Sequence, residues 1–149
     1  MKIFIGADHR GFEKKSTILK FLHKKGTESE DLGVYAASSD DDFNDPAISV
    51  AKAVRRDVDA RGILICGSAH GMVMQANRFL GIRAITATEP ELIKLGREHN
   101  NANVLCLSAD FLSDDQARQL VEIFIDTKFD GIERHARRNA RLDERKDYD

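Results

Sequence analysis

Short apolar segments alternate along the chain with longer segments whose apolar residues recur at helical spacing. A short apolar run closed by glycine predicts a buried strand, and apolar residues three and four positions apart predict an amphipathic helix. Strands separated by helices pair in parallel, since each helix returns the chain to the end of the sheet where the next strand begins. The alternation therefore predicts an α/β fold, a single-domain doubly wound (Rossmann-like) five-stranded parallel sheet with helices on both faces. The predicted strands are residues 2–7, 27–32, 61–66, 81–87 and 102–107.

Capping residues set the expected limits of the intervening helices. Gly26 is the expected C-cap of the first helix, and Asp45 is the candidate N-cap of the second. Ser113 or Asp114 is expected to cap the fifth helix. An acidic, serine-rich loop is expected over residues 38–46, and a C-terminal helical tail from about residue 130. The predicted helices are residues 11–25, 46–56, 71–79, 89–99 and a segment around 117–124.

Composition excludes several classes of function. The 149 residues, of which 42% are hydrophobic and 32% charged, suit one globular domain spanning residues 1–149. A formal net charge of −2 argues against a nucleic-acid partner bound through its phosphates. The apolar runs are far too short to cross a membrane, and the N-terminus lacks the apolar core of a secretory signal. The two cysteines form no spaced framework, so we expect a cytoplasmic protein.

The carboxyl ends of the predicted strands are the expected ligand-binding edge, because open parallel sheets bind ligands there. Polar residues follow the strands at residues 8–9, 66–71, 86–89 and 108–110. Nucleotide motifs are missing from this edge, since Phe12 and Glu13 stand where a phosphate loop needs lysine and a hydroxyl residue. A nucleotide-binding function is therefore disfavoured.

Cys66 ends a strand at this edge, directly before a glycine-flanked turn and a predicted helix. Most cysteines in apolar strands are small core residues, and Cys106 is interpreted in that way. At Cys66, outward-pointing N–H groups and the helix dipole are expected to lower the thiol pKa and could hold an oxyanion. A functional role is therefore favoured for Cys66.

The five histidines form no pattern typical of zinc sites, and neither cysteine belongs to a C-x-x-C motif, so no metal site is expected. His9 and His70 flank the predicted binding edge and are candidate site residues. For His99, a helix C-cap and a functional residue remain alternatives. His135 lies among arginines that form either a solvated helix face or an anion-binding clamp.

Four segments resemble one enzyme family, in the same order and across nearly the whole chain. They read GADHRGFEKK, ILICGSAHGMVMQANRFLGIRA, REHNNANVL and FDGIERHARR. With these motifs the sequence resembles the type B ribose-5-phosphate isomerases and their galactose-6-phosphate isomerase relatives. The resemblance implies aldose–ketose isomerisation of a small-molecule sugar phosphate without metal or organic cofactor. It also implies a homodimer, or alternatively a tetramer, with active sites at the subunit interface.

The resemblance further implies a role for each candidate residue. Cys66 is the expected base that moves a proton between C1 and C2 of the sugar, and Ser68 is expected to assist it. His99 is expected to help open the furanose ring, and Asp8 to orient the sugar hydroxyls. The enediolate oxygen is expected to meet the turn of Gly67, Ala69, His70 and Gly71, other substrate oxygens Asn100, and the phosphate His9, Arg134 and Arg138.

Departures from the family pattern bear on the substrate. Asp110 stands where the family's phosphate-binding enzymes usually carry arginine, and a carboxylate repels a dianionic phosphate unless a nearby arginine compensates. Ala69 restricts the backbone where the family more often has glycine. The first hypothesis is isomerisation of ribose 5-phosphate to ribulose 5-phosphate through an enediolate. The alternatives are the same reaction on a tetrose phosphate, a hexose phosphate or an unphosphorylated sugar, and a non-catalytic sugar-phosphate-binding module.

Overall fold

The computed structural model describes residues 1–35 and 40–144. Its strands are β1 (Ile3–Ala7), β2 (Ser29–Asp31), β3 (Arg61–Cys66), β4 (Ala84–Ile85) and β5 (Val104–Ser108). Its helices are α1 (Phe12–Lys24), α2 (Asn44–Val54), α3 (His70–Ala76), α4 (Pro90–Asn100), α5 (Asp114–Asp126) and α6 (Glu133–Leu142). All strand pairs are parallel, in the order β2-β1-β3-β5-β4. With helices on both faces, this sheet confirms the predicted fold class.

Two apolar clusters, one on each face of the sheet, hold the helices in place. Ile18 of α1 and Phe124 of α5 belong to one cluster, and Val50 of α2 and Met72 of α3 belong to the other. Successive side chains of β3 alternate between the two clusters, as the pleat of a strand requires. Because the central strands are covered on both sides, they read in the sequence as nearly continuous apolar runs.

The winding of the sheet changes direction between β1 and β3. Helix α1 connects β1 to β2 on one face, and α2 connects β2 to β3 on the other. Loops that diverge in this way leave a crevice at the carboxyl ends of their strands. Ala7 at the end of β1 is in register with Ile65 of β3. The residues that follow, Asp8 and Cys66, therefore meet at this crevice.

The predicted cap at Ser113 is confirmed for α5, whereas the C-cap of α1 is Lys25 and the predicted Gly26 is the next residue. The Ser113 hydroxyl accepts the Gln116 N–H and the Gln116 side chain accepts the Ser113 N–H, which is a capping box. Gly26, at φ +72, follows the last turn of α1, where its N–H and that of Thr27 bond carbonyls of the helix. None of the helices within residues 1–35 and 40–144 is long and apolar enough to cross a membrane.

Other predicted boundaries differ from the structure. Phe43 occupies the N-cap of α2 without a side-chain cap, so the prediction of Asp45 at that position is wrong. Asn44, the first helical residue, instead donates its side-chain amide to Gln75, 2.7 Å away. The edge strands β2 and β4 are shorter than predicted, since each pairs with one neighbour. Residues 38 and 39 of the predicted acidic loop and residues 145–149 of the predicted tail lie outside the described residues.

Candidate active site

Loops after β1, β3 and β5 meet at the crevice and enclose a cavity of about 370 Å³. Backbone hydrogen bonds fasten these loops to one another. The Asp8 N–H donates to the Ile65 carbonyl at 3.1 Å, and the Asp110 N–H donates to the Gly67 carbonyl at 3.1 Å. The lining is therefore positioned by the sheet itself. It consists of Asp8, Arg10, Phe43, Cys66, Gly67, Ser68, Gly71 and Asp110.

The Cys66 side chain borders the cavity and is only 5% exposed. Burial raises the pKa of the Cys66 thiol, whereas the backbone N–H groups of Met72, Ala69 and Ser68 lower it, and the nearby Asp8 charge raises it again. The turn does act in the predicted direction, but burial outweighs it and the pKa is raised, so the prediction of a lowered thiol pKa is wrong. Desolvation outweighs the amides because the strand end is packed beneath α2 and α3.

Asp8 is the second buried acid of the cavity, with 7% of its surface exposed. Its Oδ1 accepts the Gly11 N–H at 3.0 Å. Burial raises the pKa of the Asp8 carboxyl, and the Gly11 hydrogen bond and the charge of His9 partly oppose this rise. A thiol and a carboxyl that border one cavity, both with raised pKa values, can exchange protons with a bound ligand.

The turn after Cys66 has an unusual backbone at Ala69, which is fully buried at φ +71. This left-handed conformation costs an L-residue about 1–2 kcal/mol and is where the family pattern favours glycine. His70 begins α3 as an exposed side chain and is not part of the cavity lining. Gly71 does line the cavity, and a Cβ there would meet the Phe43 ring at 2.8 Å. Phe43 thus covers the turn directly.

His9 is absent from the cavity lining, and the predicted site residues on α4 and α6 lie farther away within one chain. Helix α4 ends just before Val104, which pairs with Gly62, four residues ahead of Cys66 in β3. At about 3.3 Å per residue, the amino edge of the sheet lies roughly 13 Å from the thiol. Helix α6 packs against α4. The predicted residues on these two elements are His99, Asn100, Arg134 and Arg138.

A polar cluster surrounds His99 on α4 and α6. Its ring centroid lies 4.4 Å from that of His135, which is only 5% exposed. His135 Nδ1 bonds the Asp130 carboxylate at 2.7 Å, and its Nε2 accepts Arg134 Nε at 3.2 Å. The arginines around His135 are exposed, whereas the His135 ring itself is buried beneath them. That ring connects Asp130 to Arg134 and so orients the guanidinium.

The same cluster bears on two further predictions. Asn101, at φ 47, is the C-cap of α4, so the alternative of His99 as the cap is wrong. His99, Asp130 and His135 offer ligand atoms within 4.8 Å of one another. To bind a metal ion, His135 would have to release one of the two partners that its ring nitrogens already hold.

Two ion pairs at the carboxyl edge were not predicted. Arg10 Nη2 donates to Asp110 Oδ2 at 2.6 Å. Arg10 is therefore the nearby arginine that compensates the negative charge of Asp110. His9 Nδ1 bonds Asp41 Oδ1 at 2.5 Å. The position of Arg10 could have been inferred, since it follows Asp8 in the loop after β1. Its partner could not, because Asp110 lies 100 residues away in the sequence.

A family model described as Ribose/Galactose Isomerase matches residues 3–142. The chain belongs to this family. A probable ribose-5-phosphate isomerase B from Mycoplasma pneumoniae is 35% identical over 140 residues, which cover 94% of this chain and 91% of the relative. Ribose-5-phosphate isomerase B from Escherichia coli is 36% identical over 87% of each chain.

Solved structures of the Ribose/Galactose Isomerase family superpose closely on this chain. The Thermotoga maritima ribose 5-phosphate isomerase has a TM-score of 0.90 and 40% identity, covering 95% of this chain and 97% of its own. The Mycoplasma genitalium ribose-5-phosphate isomerase B, with bound ribulose-5-phosphate, has a TM-score of 0.91 and 38% identity, covering 95% and 93%. The resemblance drawn from the sequence and the assignment to an isomerase class are confirmed.

Proposed function

We propose that the chain interconverts ribose 5-phosphate and ribulose 5-phosphate through an enediolate, without a metal or organic cofactor. The observation that carries the proposal is the buried Cys66 thiol, which meets three backbone N–H groups and shares a cavity with Asp8. Proton abstraction next to a carbonyl needs a base and preorganised donors for the resulting oxyanion. The Cys66 thiol and the N–H groups of its turn are the groups that we assign to these two roles.

In the proposed reaction, the Cys66 thiolate removes the proton from C2 of the open-chain aldose, and the electron pair moves onto the C1 carbonyl oxygen. The N–H groups of the turn from Gly67 to Gly71 stabilise that oxygen. A proton then passes from the C2 hydroxyl to the C1 oxygen, and the thiol returns its proton to C1. Ser68 assists the thiol, and Asp8 holds the substrate hydroxyls. The product is the ketose, and no atom is gained or lost.

A second copy of the chain completes this site. Ring opening is assigned to His99, oxygen binding to Asn100, and phosphate binding to Arg134 and Arg138. The α4 end that carries His99 precedes Val104, at the amino edge of the sheet, and cannot approach Cys66 of the same chain. A homodimer, or a tetramer built from such dimers, places one chain's α4 and α6 against its partner's cavity.

Exposed apolar side chains support an interface at both edges. Phe111 follows β5 at the carboxyl edge and is 73% exposed, and Ile132 lies directly before α6 and is 49% exposed. Single exposed apolar residues are common. A composite site, however, requires contact between the carboxyl edge of one chain and α6 of the other, and each of these surfaces has one exposed apolar side chain. The cytoplasmic location stays a prediction.

Proton NMR in D₂O tests the reaction. Wild-type protein is expected to convert ribose 5-phosphate to ribulose 5-phosphate with deuterium entering C1, because the thiol proton exchanges with solvent. Cys66→Ala should lose this turnover, while Cys106→Ala, which changes a fully buried cysteine of the same core cluster, should retain it. The proposal would be refuted if wild-type protein converted neither ribose 5-phosphate nor any of the other sugars introduced below. Conversion without deuterium at C1 would show that the buried thiol returns the abstracted proton before that proton exchanges with solvent.

Asp110 favours a second candidate substrate. Because its carboxylate lines the cavity, the alternative substrates for the same reaction are a tetrose phosphate, a hexose phosphate and an unphosphorylated sugar. The NMR experiment therefore includes free ribose and representatives of the other two classes. Higher kcat/KM for one of them than for ribose 5-phosphate would reassign the substrate and keep the mechanism.

Mixing two inactive variants tests the composite site. Cys66→Ala and His99→Ala homodimers should each be inactive, because every site contains one lesion. Half of the dimers in a random mixture carry one damaged and one intact site, so about a quarter of wild-type activity should return after mixing. No recovery, once mass spectrometry has shown that subunits exchange, would place both residues in a site within one chain.

A further inference from the structure

Helix α6 turns a polar face toward α4. Of its 10 residues, the two that are buried are His135 and Asn139, one helical turn apart. A helix of a globular domain normally buries an apolar stripe, as α5 does with Leu120 and Phe124. The buried face of α6 therefore adds little hydrophobic stabilisation, and its role lies in the contacts of its polar groups.

Both buried residues contact His99 in the last turn of α4. The Asn139 side-chain amide donates to the His99 backbone carbonyl at 3.0 Å, and such carbonyls have no partner within their own helix. The His135 and His99 rings have centroids 4.4 Å apart and are tilted by 41°. One contact holds the backbone of His99 and the other lies against its ring. Together they hold the residue to which ring opening is assigned.

Hydrogen bonds fix the His135 ring in its neutral form. Arg134 can only donate, so His135 Nε2, which accepts its Nε at 3.2 Å, carries no proton. The ring proton is therefore on Nδ1, which donates to the Asp130 carboxylate at 2.7 Å. A neutral ring places no second positive charge beside His99. His99 can then gain and lose a proton, as ring opening requires.

The packing of Asn139 leaves one polar atom unsatisfied. Its Oδ1 is buried and has no hydrogen-bond partner among residues 1–35 and 40–144. Such an atom lowers stability, and a branched apolar side chain such as leucine would avoid that cost and favour the helix more. Features that disfavour folding are expected at functional sites. The amide at this position therefore points to a need for its Nδ2 donor at His99.

We infer that His135 and Asn139 are positioning residues for ring opening, which hold the ring and the backbone of His99, and that Asp130 keeps His135 neutral. The inference rests on the proposed function, which assigns ring opening to His99. All of these residues belong to one chain, so the inference does not depend on how a partner chain docks.

Asn139→Leu tests the inference in the full-length protein by steady-state kinetics and thermal unfolding. The kcat for ribose 5-phosphate should fall about tenfold to 100-fold because His99 is displaced. KM should stay within about twofold of wild type, since the lost contact acts on the reaction and not on binding. Tm should be no lower than that of wild type, because the unsatisfied oxygen is removed. Ala140→Leu adds the same side chain at the exposed neighbouring position, and this matched control should change neither kcat nor Tm.

Proton–carbon NMR of the histidine rings gives a second measurement that needs no substrate. The His99 ring signal is assigned by its loss in His99→Gln. It should shift in Asn139→Leu, because the ring moves relative to His135, and stay in place in Ala140→Leu.

Three results would overturn the inference. They are an Asn139→Leu kcat within about twofold of wild type, a His99 ring signal that does not move, and a Tm several degrees lower, which would assign the effect to folding. Failure of the proposed function looks different, since wild-type protein would then convert none of the sugars. The role in ring opening would be overturned with it, and the NMR comparison would still decide whether α6 positions the His99 ring.

Discussion

Gly11→Ala is expected to damage both stability and activity, because Gly11 is packed against the backbone that leads into Cys66. An added Cβ would lie 2.4 Å from the Ile65 carbonyl oxygen and 2.7 Å from its carbon. Ordinary contacts begin near 3.4 Å, so the shortfall is 3.4 − 2.4 = 1.0 Å. A backbone carbonyl in a central strand cannot rotate away. Helix α1 and β3 must therefore separate by about this distance.

The cost follows from two opposing effects. Overpacking of this kind costs about 3 kcal/mol at the upper end of the usual range. Alanine recovers about 1 kcal/mol by restricting the unfolded chain, since Gly11 has φ −87, which any residue adopts. The free energy of unfolding should fall by about 2 kcal/mol. For a chain of this length the corresponding loss in Tm is about 4–8 °C.

Urea unfolding and isomerase kinetics measure the two effects. The Gly11 N–H also holds the Asp8 carboxylate, so a shift of about 1 Å should lower kcat/KM by as much as about 100-fold. Gly26→Ala is the control, since Gly26 has open space around it and only its φ of +72 is unfavourable to alanine. It should cost about 1 kcal/mol and leave kcat/KM unchanged. A Gly11→Ala protein within 0.5 kcal/mol of wild type, which is within about the error of the method, would refute the steric reasoning.

Three further results are expected. Iodoacetamide should alkylate Cys66 faster as pH rises, because burial raises the pKa of this thiol and only the thiolate reacts. The fully buried Cys106 should stay unlabelled in folded protein. Equal labelling of the two cysteines by peptide mass spectrometry would contradict this expectation. The Asp8 pKa is raised on folding, so its contribution to stability is present at low pH and is lost as pH rises through the folded pKa. Asp8→Asn keeps an acceptor for the Gly11 N–H, so its Tm at pH 7 should be no lower than that of wild type, while turnover falls. A Tm several degrees lower would show that the ionised Asp8 carboxylate stabilises the fold. Ser113→Ala should lose about 1 kcal/mol of unfolding free energy with the capping box, and an unchanged urea midpoint would count against that contribution.

The sheet could be predicted from the sequence because its central strands are buried on both faces and read as apolar runs. The capping box at Ser113 could be predicted because it involves residues three positions apart. At Asp45 the same kind of signal failed. Helix α2 begins two residues earlier than predicted, with Phe43 already in helical conformation at the N-cap, so the aspartate falls inside the first turn. Where a helix begins depends on how the preceding loop arrives, and that is set by packing.

The candidate site likewise has features that the sequence predicts and features that depend on contacts between distant segments. Asp8, Cys66 and Ser68 could be placed at one cavity from sequence because parallel strands end at a common edge. The direction of the Cys66 pKa could not, since the amides are local but the desolvation comes from α2 and α3, which are distant in the sequence. The Arg10–Asp110 pair is a contact between two loops and leaves no periodic signal.

The order of residues and strands along the chain also predicts at which edge of the sheet each site residue lies. A residue that follows a strand of a parallel sheet lies at the carboxyl edge, and a residue that directly precedes a strand lies at the amino edge. Cys66 is of the first kind and Asn100 is of the second. Rotamer changes move side-chain atoms by a few ångströms, so they cannot span the roughly 13 Å between these edges. If Cys66 and His99 act on one sugar, the parallel topology alone requires two chains, and the site then forms only as fast and as tightly as the dimer does.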